Sequence, residues 1–312
     1  TTGATVISGL DVLPKSILFY RQQLQWLGGM GIIVLAVALL PMLGIGGMQL
    51  YRAESPGPVK DNKLVPRLAE TAKALWYIYL TLTVACALAY WAVGMNLFDA
   101  ISHSFTTVAI GGFSNHDASL GYFNSPLVNI VCTVFLLIAA LNFSLHYAAV
   151  SSRSVKGYFK DPEFKAFFFI QATLILICFL VLVLSGFYES AETALDQAMI
   201  QAVSISTTAG FATTDFSVWP TFLPILLIFS SFIGGGASST GGGLKVVRVC
   251  LLFLQGKREV DRLIHPKAVY AVKLGERAMP DRVVEAVWGF FSAYAVVFVI
   301  LMVGLIATGL DN

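Results

Sequence analysis

The sequence predicts an all-α integral membrane protein built of tandem helix–loop–helix repeats. Three observations carry this. Of 312 residues, 57% are hydrophobic and only 12% charged, with a mean hydropathy of +0.77, whereas a soluble domain carries about 25% charged residues. The apolar residues gather into runs of about 20, the length that crosses a hydrocarbon core as a helix. A short Gly/Thr loop also recurs between such runs at intervals of about 100 residues, the mark of a duplicated unit.

Taken in order, the chain opens inside the first loop, Thr1-Thr2-Gly3, so it reads as a piece of a longer protein. A first span over 24–43 contains Gly28, Gly29 and Gly31, which allow close helix packing. A polar connector over 51–73 leads to a second span over 74–93. A short segment, 99–107, cannot cross; Asp99 at its start suits the helix dipole. The loop with Ile110, Gly111, Gly112 and Phe113 follows, and a third span is expected over 127–150. A connector over 151–165 and a fourth span over 166–184 lead to a second short segment, 196–206, feeding Thr208, Ala209, Gly210 and Phe211. Both full loops carry an Asp five residues past the glycine, Asp117 and Asp215.

The run 221–254 is too long for one crossing. Its middle reads Gly234, Gly235, Gly236, Ala237, Ser238, Ser239, Thr240, Gly241, Gly242, Gly243. Glycine costs a helix about 1 kcal/mol each relative to alanine. This helix is therefore expected to break, and irregular backbone at membrane depth must be covered by protein or line a wet cavity. A basic connector over 255–282 precedes a last span over 283–308.

All Lys and Arg except Lys15 and Arg21 fall in 51–73, 153–165 and 245–282, the side of the connectors. The positive-inside rule puts connectors in the cytoplasm and Gly loops outside. The outer side holds Asp11, Asp99, Asp117, Asp196 and Asp215 among others, a field that concentrates cations. No nucleic-acid partner is expected. The four cysteines lie in or beside apolar runs with no metal-ligand spacing and read as inert. GGGASSTGGG lacks the Lys-Ser/Thr ending of a phosphate loop and follows no strand. A serine nucleophile at Ser238 or Ser239 has no base beside it, since His103 and His146 lie in other repeats; no enzyme is expected.

An unhydrated alkali cation needs a ring of oxygens. Glycine lets backbone carbonyls supply them, and threonine hydroxyls add acceptors. A short helix aimed at each loop offers its negative C-terminal end. His103 reads as a hydrogen-bonding residue, Asn142 and His146 as an i, i+4 pair bonding between helices. Asp117 and Asp215 read equally as mouth charges or as loop caps.

The motifs TTGAT, AIGGF and TTAGF, with GGGASSTGGG in the third repeat, resemble the ion-translocating subunits of the bacterial Trk/Ktr potassium transporter superfamily. That resemblance implies a potassium-channel-like, pseudo-fourfold arrangement of helix–pore loop–helix repeats. Residues 1–50 would end repeat 1, 51–152 form repeat 2, 153–256 form repeat 3 with its broken inner helix, and 257–312 begin repeat 4, leaving the first and fourth incomplete. It implies a selectivity filter of Thr1, Thr2, Gly3, Ile110, Gly111, Gly112, Thr208, Ala209 and Gly210, with K⁺ as transported ion and no covalent cofactor. The loop 234–243 would be the gate below it. It further implies a homodimer in the bacterial cytoplasmic membrane and a cytoplasmic nucleotide-binding ring of the TrkA type. Sodium or mixed permeation by the same architecture, and transport of an organic solute at a broken helix, are the competing expectations. Gly3 favours potassium over the first, and the paired loops argue against the second.

Overall fold

The computed structural model describes residues 1, 5, 7–34, 68–220, 222–266, 268 and 270–309, with backbone alone at 32–34 and 68–72. The helices are α1 (Lys15–Val34), α2 (Leu68–Ala92), α3 (Leu97–Val108), α4 (Pro126–Ala139), α5 (Phe143–Ser152), α6 (Lys156–Lys160), α7 (Pro162–Leu184), α8 (Ala191–Ser206), α9 (Leu223–Ser231), α10 (Val246–Ile264) and α11 (Asp281–Ala307). Strands β1 (Lys273–Leu274) and β2 (Arg277–Ala278) form an antiparallel hairpin. Among the described residues, Lys73–Ala92, Pro162–Leu184 and Asp281–Ala307 are long and apolar enough to cross a membrane. The far half of the span expected over 24–43 lies outside the described residues. The chain divides into two units, Thr1–Val246 and Val247–Asn312.

In the first unit a long helix, a short helix and a second apolar helix recur as a set. Helices α2, α3 and α4 make one set; α7, α8 and α9 make the other. Each short helix is started by a side-chain cap that satisfies an orphan N–H. Asn96 Oδ1 accepts from Asp99 N–H at 2.9 Å, and Ser190 Oγ accepts from Thr193 N–H at 3.0 Å. An acidic residue in the first turn, Asp99 or Glu192, complements the dipole of each.

The second set packs on a four-residue period. Leu174, Cys178 and Leu182 of α7 meet Ala194, Ala198 and Ala202 of α8, closed by Trp219, Leu223 and Leu227. Residues four apart share a helix face, and the alanines let the two axes approach. Near the other end of this contact Ser206 Oγ donates to Gln171 Oε1 at 2.9 Å. In the first set Tyr90 and Thr107 hydroxyls lie 2.8 Å apart between α2 and α3.

The single span expected over 127–150 is corrected by the structure. Helix α4 ends at Ala139, α5 starts at Phe143, and the two are bent by 86°. No proline or glycine stands at 140–142. The bend instead follows from partners that replace intrahelical bonds. The Ala140 carbonyl accepts Gly236 N–H at 2.8 Å, and Asn142 Oδ1 caps α5 by accepting Ser144 N–H at 2.9 Å. His146 braces the elbow, with Nε2 3.0 Å from the Ile138 carbonyl and Nδ1 2.7 Å from Tyr158 Oη. Asn142 is thus a cap, and His146 joins α5 to α4 and α6.

In the second unit Leu251, Val272, Met279, Val284 and Val287 form a small buried cluster. Arg258 pairs with Asp281 at 2.6 Å, and the Arg248 guanidinium lies 4.2 Å from the Phe290 ring centre. Helix α11 leaves Val296, Ile300 and Leu305 exposed, the all-round apolar surface of a helix that meets lipid or other protein.

The α7–α8 contact yields a stability test. Ala198 is fully buried; Ala198→Leu forces extra methylenes into a packed seam and costs about 1–3 kcal/mol. The measurement is the thermal unfolding midpoint of the full-length protein in detergent. An unchanged midpoint would mean that this seam is loosely packed.

Candidate functional site

The loops after α3 and α8 share one backbone construction. Ile110 has φ 52° and Thr208 φ 68°, while Gly112 has φ 77° and Gly210 φ 88°. The hydrogen bonds match as well. Ile110 N–H donates to Thr107 O at 3.1 Å and Gly111 N–H to Thr106 O at 2.8 Å; Thr208 N–H donates to Ile205 O at 3.0 Å and Ala209 N–H to Ser204 O at 2.8 Å. These are the paired bonds of a Schellman helix end, whose left-handed residue is usually glycine. Here both are β-branched, which makes them outliers costing on the order of 1–3 kcal/mol each.

The surroundings hold both loops in that conformation. Thr106 Oγ1 donates to the Phe113 carbonyl at 2.9 Å, and Ser204 Oγ to the Phe211 carbonyl at 2.7 Å, each clasp spanning seven residues. From α1, Gln25 Nε2 donates to the Gly111 carbonyl at 2.8 Å while its Oε1 accepts Phe113 N–H at 3.1 Å. The two loops also abut. A Cβ on Gly112 would collide with the Ala209 carbonyl oxygen. Beyond them Gly121 N–H donates to Ala212 O, and Ala212 N–H to Ser119 Oγ, both at 3.2 Å.

The loop N–H groups are thus turned back into the helix ends. Among the described residues, no hydrogen bond engages the carbonyls of Ile110, Gly112, Thr208, Ala209 or Gly210. Unpaired carbonyls on extended or left-handed backbone are what a cation shell requires. Thr2 and Gly3 lie outside the described residues, so the third loop is not placed beside these two.

The acidic residues flanking the loops act as caps. Asp117 accepts Gly9 N–H at 3.1 Å and Leu10 N–H at 3.0 Å, opening the turn Leu10–Val12. Asp215 accepts Ser217 N–H at 2.9 Å at the start of Phe216–Val218, and the Ser217 hydroxyl, with that N–H, holds its carboxyl below the usual carboxylate range. His116 Nδ1 lies 2.5 Å from Asp11 Oδ1 and likewise holds the Asp11 carboxyl low. His103 is fully buried, with Nδ1 2.9 Å from the Asp99 carbonyl and Nε2 2.9 Å from Ser114 Oγ. It fastens the loop to its own helix.

The loop 234–243 separates α9 from α10 and binds the same two helix ends. Thr240 Oγ1 donates to the Val108 carbonyl at 3.0 Å, and Gly242 N–H donates to Thr208 Oγ1 at 2.7 Å. A Cβ on Gly241 would stand 3.0 Å from the Thr207 carbonyl oxygen. Its other side rests in the α4–α5 elbow, where Phe143 N–H donates to the Ser238 carbonyl at 3.2 Å. Glu163, on the first turn of α7, accepts Ala237 N–H at 2.6 Å. Gly234 and Gly243 hold left-handed backbone, and a Cβ on Gly243 would come within 2.7 Å of Gly234 Cα. The buried Lys245 ammonium donates to the carbonyls of Ser239, at 3.3 Å, and of Gly241. Ser239 Oγ donates within the loop, to Gly236 O at 2.6 Å.

Several of these residues have no strong signature in the sequence. Gln25, Glu163 and Lys245 are polar side chains in or beside apolar runs, and that oddity is their signal. Thr106 and Ser204 stand at matching places in the repeat, which an alignment of the two loops brings out.

A model of the TrkH family, described as a cation transport protein, matches residues 1–310. The chain is 69% identical over 314 residues to the Trk system potassium uptake protein TrkH of Vibrio parahaemolyticus, covering 100% of this chain and 65% of that relative. It is 63% identical over 312 residues to the protein of the same description in Escherichia coli K12, covering 100% of this chain and again 65% of the relative. The crystal structure of the potassium transporter TrkH from Vibrio parahaemolyticus superimposes with a TM-score of 0.87 at 65% identity, covering 98% of this chain and 63% of that one. The chain therefore spans a little under two thirds of the length of these relatives.

The capping geometry of Asp117 makes a prediction. Asp117→Ala removes the acceptor for two backbone N–H groups and costs the full-length protein about 1 kcal/mol. The loss should be the same at low and high ionic strength, because it is a local bond and not a long-range field. Thermal unfolding in both salts is the measurement. A midpoint unchanged in both salts would remove the capping role.

Proposed function

The chain belongs to the TrkH family of cation transport proteins, and we propose that it serves potassium uptake through a gated, channel-like pore in the cytoplasmic membrane. The observation that carries this reading is the matched pair of loops. Each presents unpaired carbonyls at the C-terminal end of a short helix, held by the same Schellman bonds and the same hydroxyl clasp. The helix end adds its own negative potential for a cation.

In this reading Ile110, Gly111, Gly112, Thr208, Ala209 and Gly210 supply two sides of the selectivity filter, and Thr1, Thr2 and Gly3 a third. The loop 234–243 is the gate. Its bonds to Val108 O and Thr208 Oγ1 favour a position directly beneath the filter backbone, and its glycines give it other accessible states. Lys245 puts a positive charge among the loop's own carbonyls, where it competes with a passing cation. The filter loops face outward and the basic connectors face the cytoplasm, in keeping with the positive-inside rule. The intact protein works as a homodimer, and a nucleotide-binding ring of the TrkA type docks on the cytoplasmic face.

The potassium reading is tested by rubidium flux into vesicles bearing the full-length protein. K⁺ should compete with it, and Na⁺ only weakly. Equal competition by both ions would favour mixed permeation, and an absence of flux would remove the reading.

The filter assignment is tested best at Gly210. A Cβ there meets nothing within 4 Å, whereas Gly112 is packed against Ala209. Gly210→Ser disturbs a left-handed residue without a collision and should weaken K⁺ over Na⁺ selectivity while leaving folding intact. Reversal potentials that keep full selectivity would move the filter elsewhere.

The gate assignment makes the opposite prediction. Deleting part of 236–241 should raise basal flux and leave the K⁺/Na⁺ ratio unchanged. Normal flux in the deletion would reduce the loop to a packing feature.

A further inference from the structure

Glutamate is almost never buried unless something pairs with it, yet Glu163 is only 8% exposed. The start of α7 does not require it there. Asp161 Oδ1 already caps that end by accepting Phe164 N–H at 2.9 Å, and Pro162 takes the first helical position. An exposed acid would serve the helix dipole as well. Glu163 instead reaches across 74 residues of chain, and its Oε1 accepts Ala237 N–H at 2.6 Å. Ala237 is itself buried, so losing that acceptor strands a backbone donor.

The bond completes a grip on the loop 234–243 from two sides. On one side the α4–α5 elbow offers Ala140 O to Gly236 N–H at 2.8 Å and Phe143 N–H to Ser238 O at 3.2 Å. On the other stands the Glu163 carboxylate. Gly236 lies between them: a Cβ there would stand 3.2 Å from Ala140 O and 3.4 Å from Glu163 Oε1. One short corner of chain holds both sides. Tyr158 Oη, on α6, lies 2.7 Å from His146 Nδ1 in the elbow, and Asp161 N–H donates to Tyr158 O at 3.1 Å just before Glu163. The other oxygens that accept the loop's N–H groups from outside it, Ala140 O and Thr208 Oγ1, are neutral. A charged acceptor makes a bond about twice as strong.

We propose that Glu163 is a positioning residue of the gate: its carboxylate, on the corner between α6 and α7, holds 236–238 in the blocking position. The inference rests on the gate reading of this loop. It gives the setting of the closed state to a side chain outside both the loop and the filter. Without the carboxylate, the blocking position leaves Ala237 N–H unpaired, and the loop shifts towards its other states. The filter is clasped by other side chains, Gln25, Thr106 and Ser204, so ion preference stays as it is.

Rubidium flux and reversal potentials of the full-length protein in vesicles test this. Glu163→Ala should raise basal flux about tenfold, the factor that a hydrogen bond to a charged group implies, with the K⁺/Na⁺ ratio unchanged. Two conservative variants separate the bond from the charge. Glu163→Gln keeps an acceptor oxygen at the same reach and should stay within about threefold of wild type. Glu163→Asp keeps the charge, withdraws it by one methylene and should behave like Glu163→Ala. Gel filtration reports folding, and the Gln and Asp pair decides the matter if Glu163→Ala does not fold. The proposal falls if folded Glu163→Asp keeps wild-type flux, if Glu163→Gln conducts as freely as Glu163→Asp, or if selectivity drops as flux rises. A loop deletion within 236–241, measured alongside, keeps the two readings apart. Normal flux in the deletion removes the gate itself; raised flux in the deletion with wild-type flux in Glu163→Asp removes only the role of Glu163.

Discussion

A left-handed β-branched residue at the end of each short helix is the constraint on which the rest of this structure depends. Ile110 and Thr208 turn the chain so that the following N–H groups bond backwards into the helix. Only then are the carbonyls of Gly112, Ala209 and Gly210 left without a hydrogen bond among the described residues. A backbone carbonyl without a partner is costly in a protein interior, and a β-branched side chain at positive φ adds strain. Such a state persists only where neighbours over-determine it. Gln25, the Thr106 and Ser204 clasps and the packing of Gly112 on Ala209 all serve that end.

The loop 234–243 extends the same logic below the helix ends. It has no regular structure of its own, so its backbone groups must be satisfied by others. The partners come from well-separated parts of the sequence: Val108, Ala140, Phe143, Glu163 and Thr208. The 86° elbow between α4 and α5 exists to receive it, since Ala140 O and Phe143 N–H are the groups freed by the bend. A displacement of this loop would release bonds to the ends of both short helices and to the α4–α5 elbow at once. Glu163 adds a direct tie between the loop and the start of α7, next to the basic connector.

Much of the fold was legible in the sequence because its signals are local. Apolar runs, glycine clusters and the repeated Gly-Phe pair mark helices and loops without any knowledge of neighbours. The elbow at Ala140 was not legible, because no helix breaker stands there and the bend is made by the Gly236 N–H from far along the chain. Asn142 was the available sign, a good N-cap residue in the middle of an apolar run. The roles of Asp117 and Asp215 were equally hidden, since an acid near a loop reads alike as a mouth charge and as a cap until its donors are placed. The Schellman turns were invisible for the opposite reason: isoleucine and threonine stand where glycine is the usual signature.

The central claim is that the unpaired carbonyls of the two loops hold a cation. Anomalous diffraction from crystals of the full-length protein grown in Rb⁺ or Tl⁺ tests it most directly. The account predicts strong peaks within coordination distance of the carbonyls of Ile110, Gly112, Thr208 and Gly210. Peaks elsewhere in the molecule, with none at these carbonyls, would contradict it.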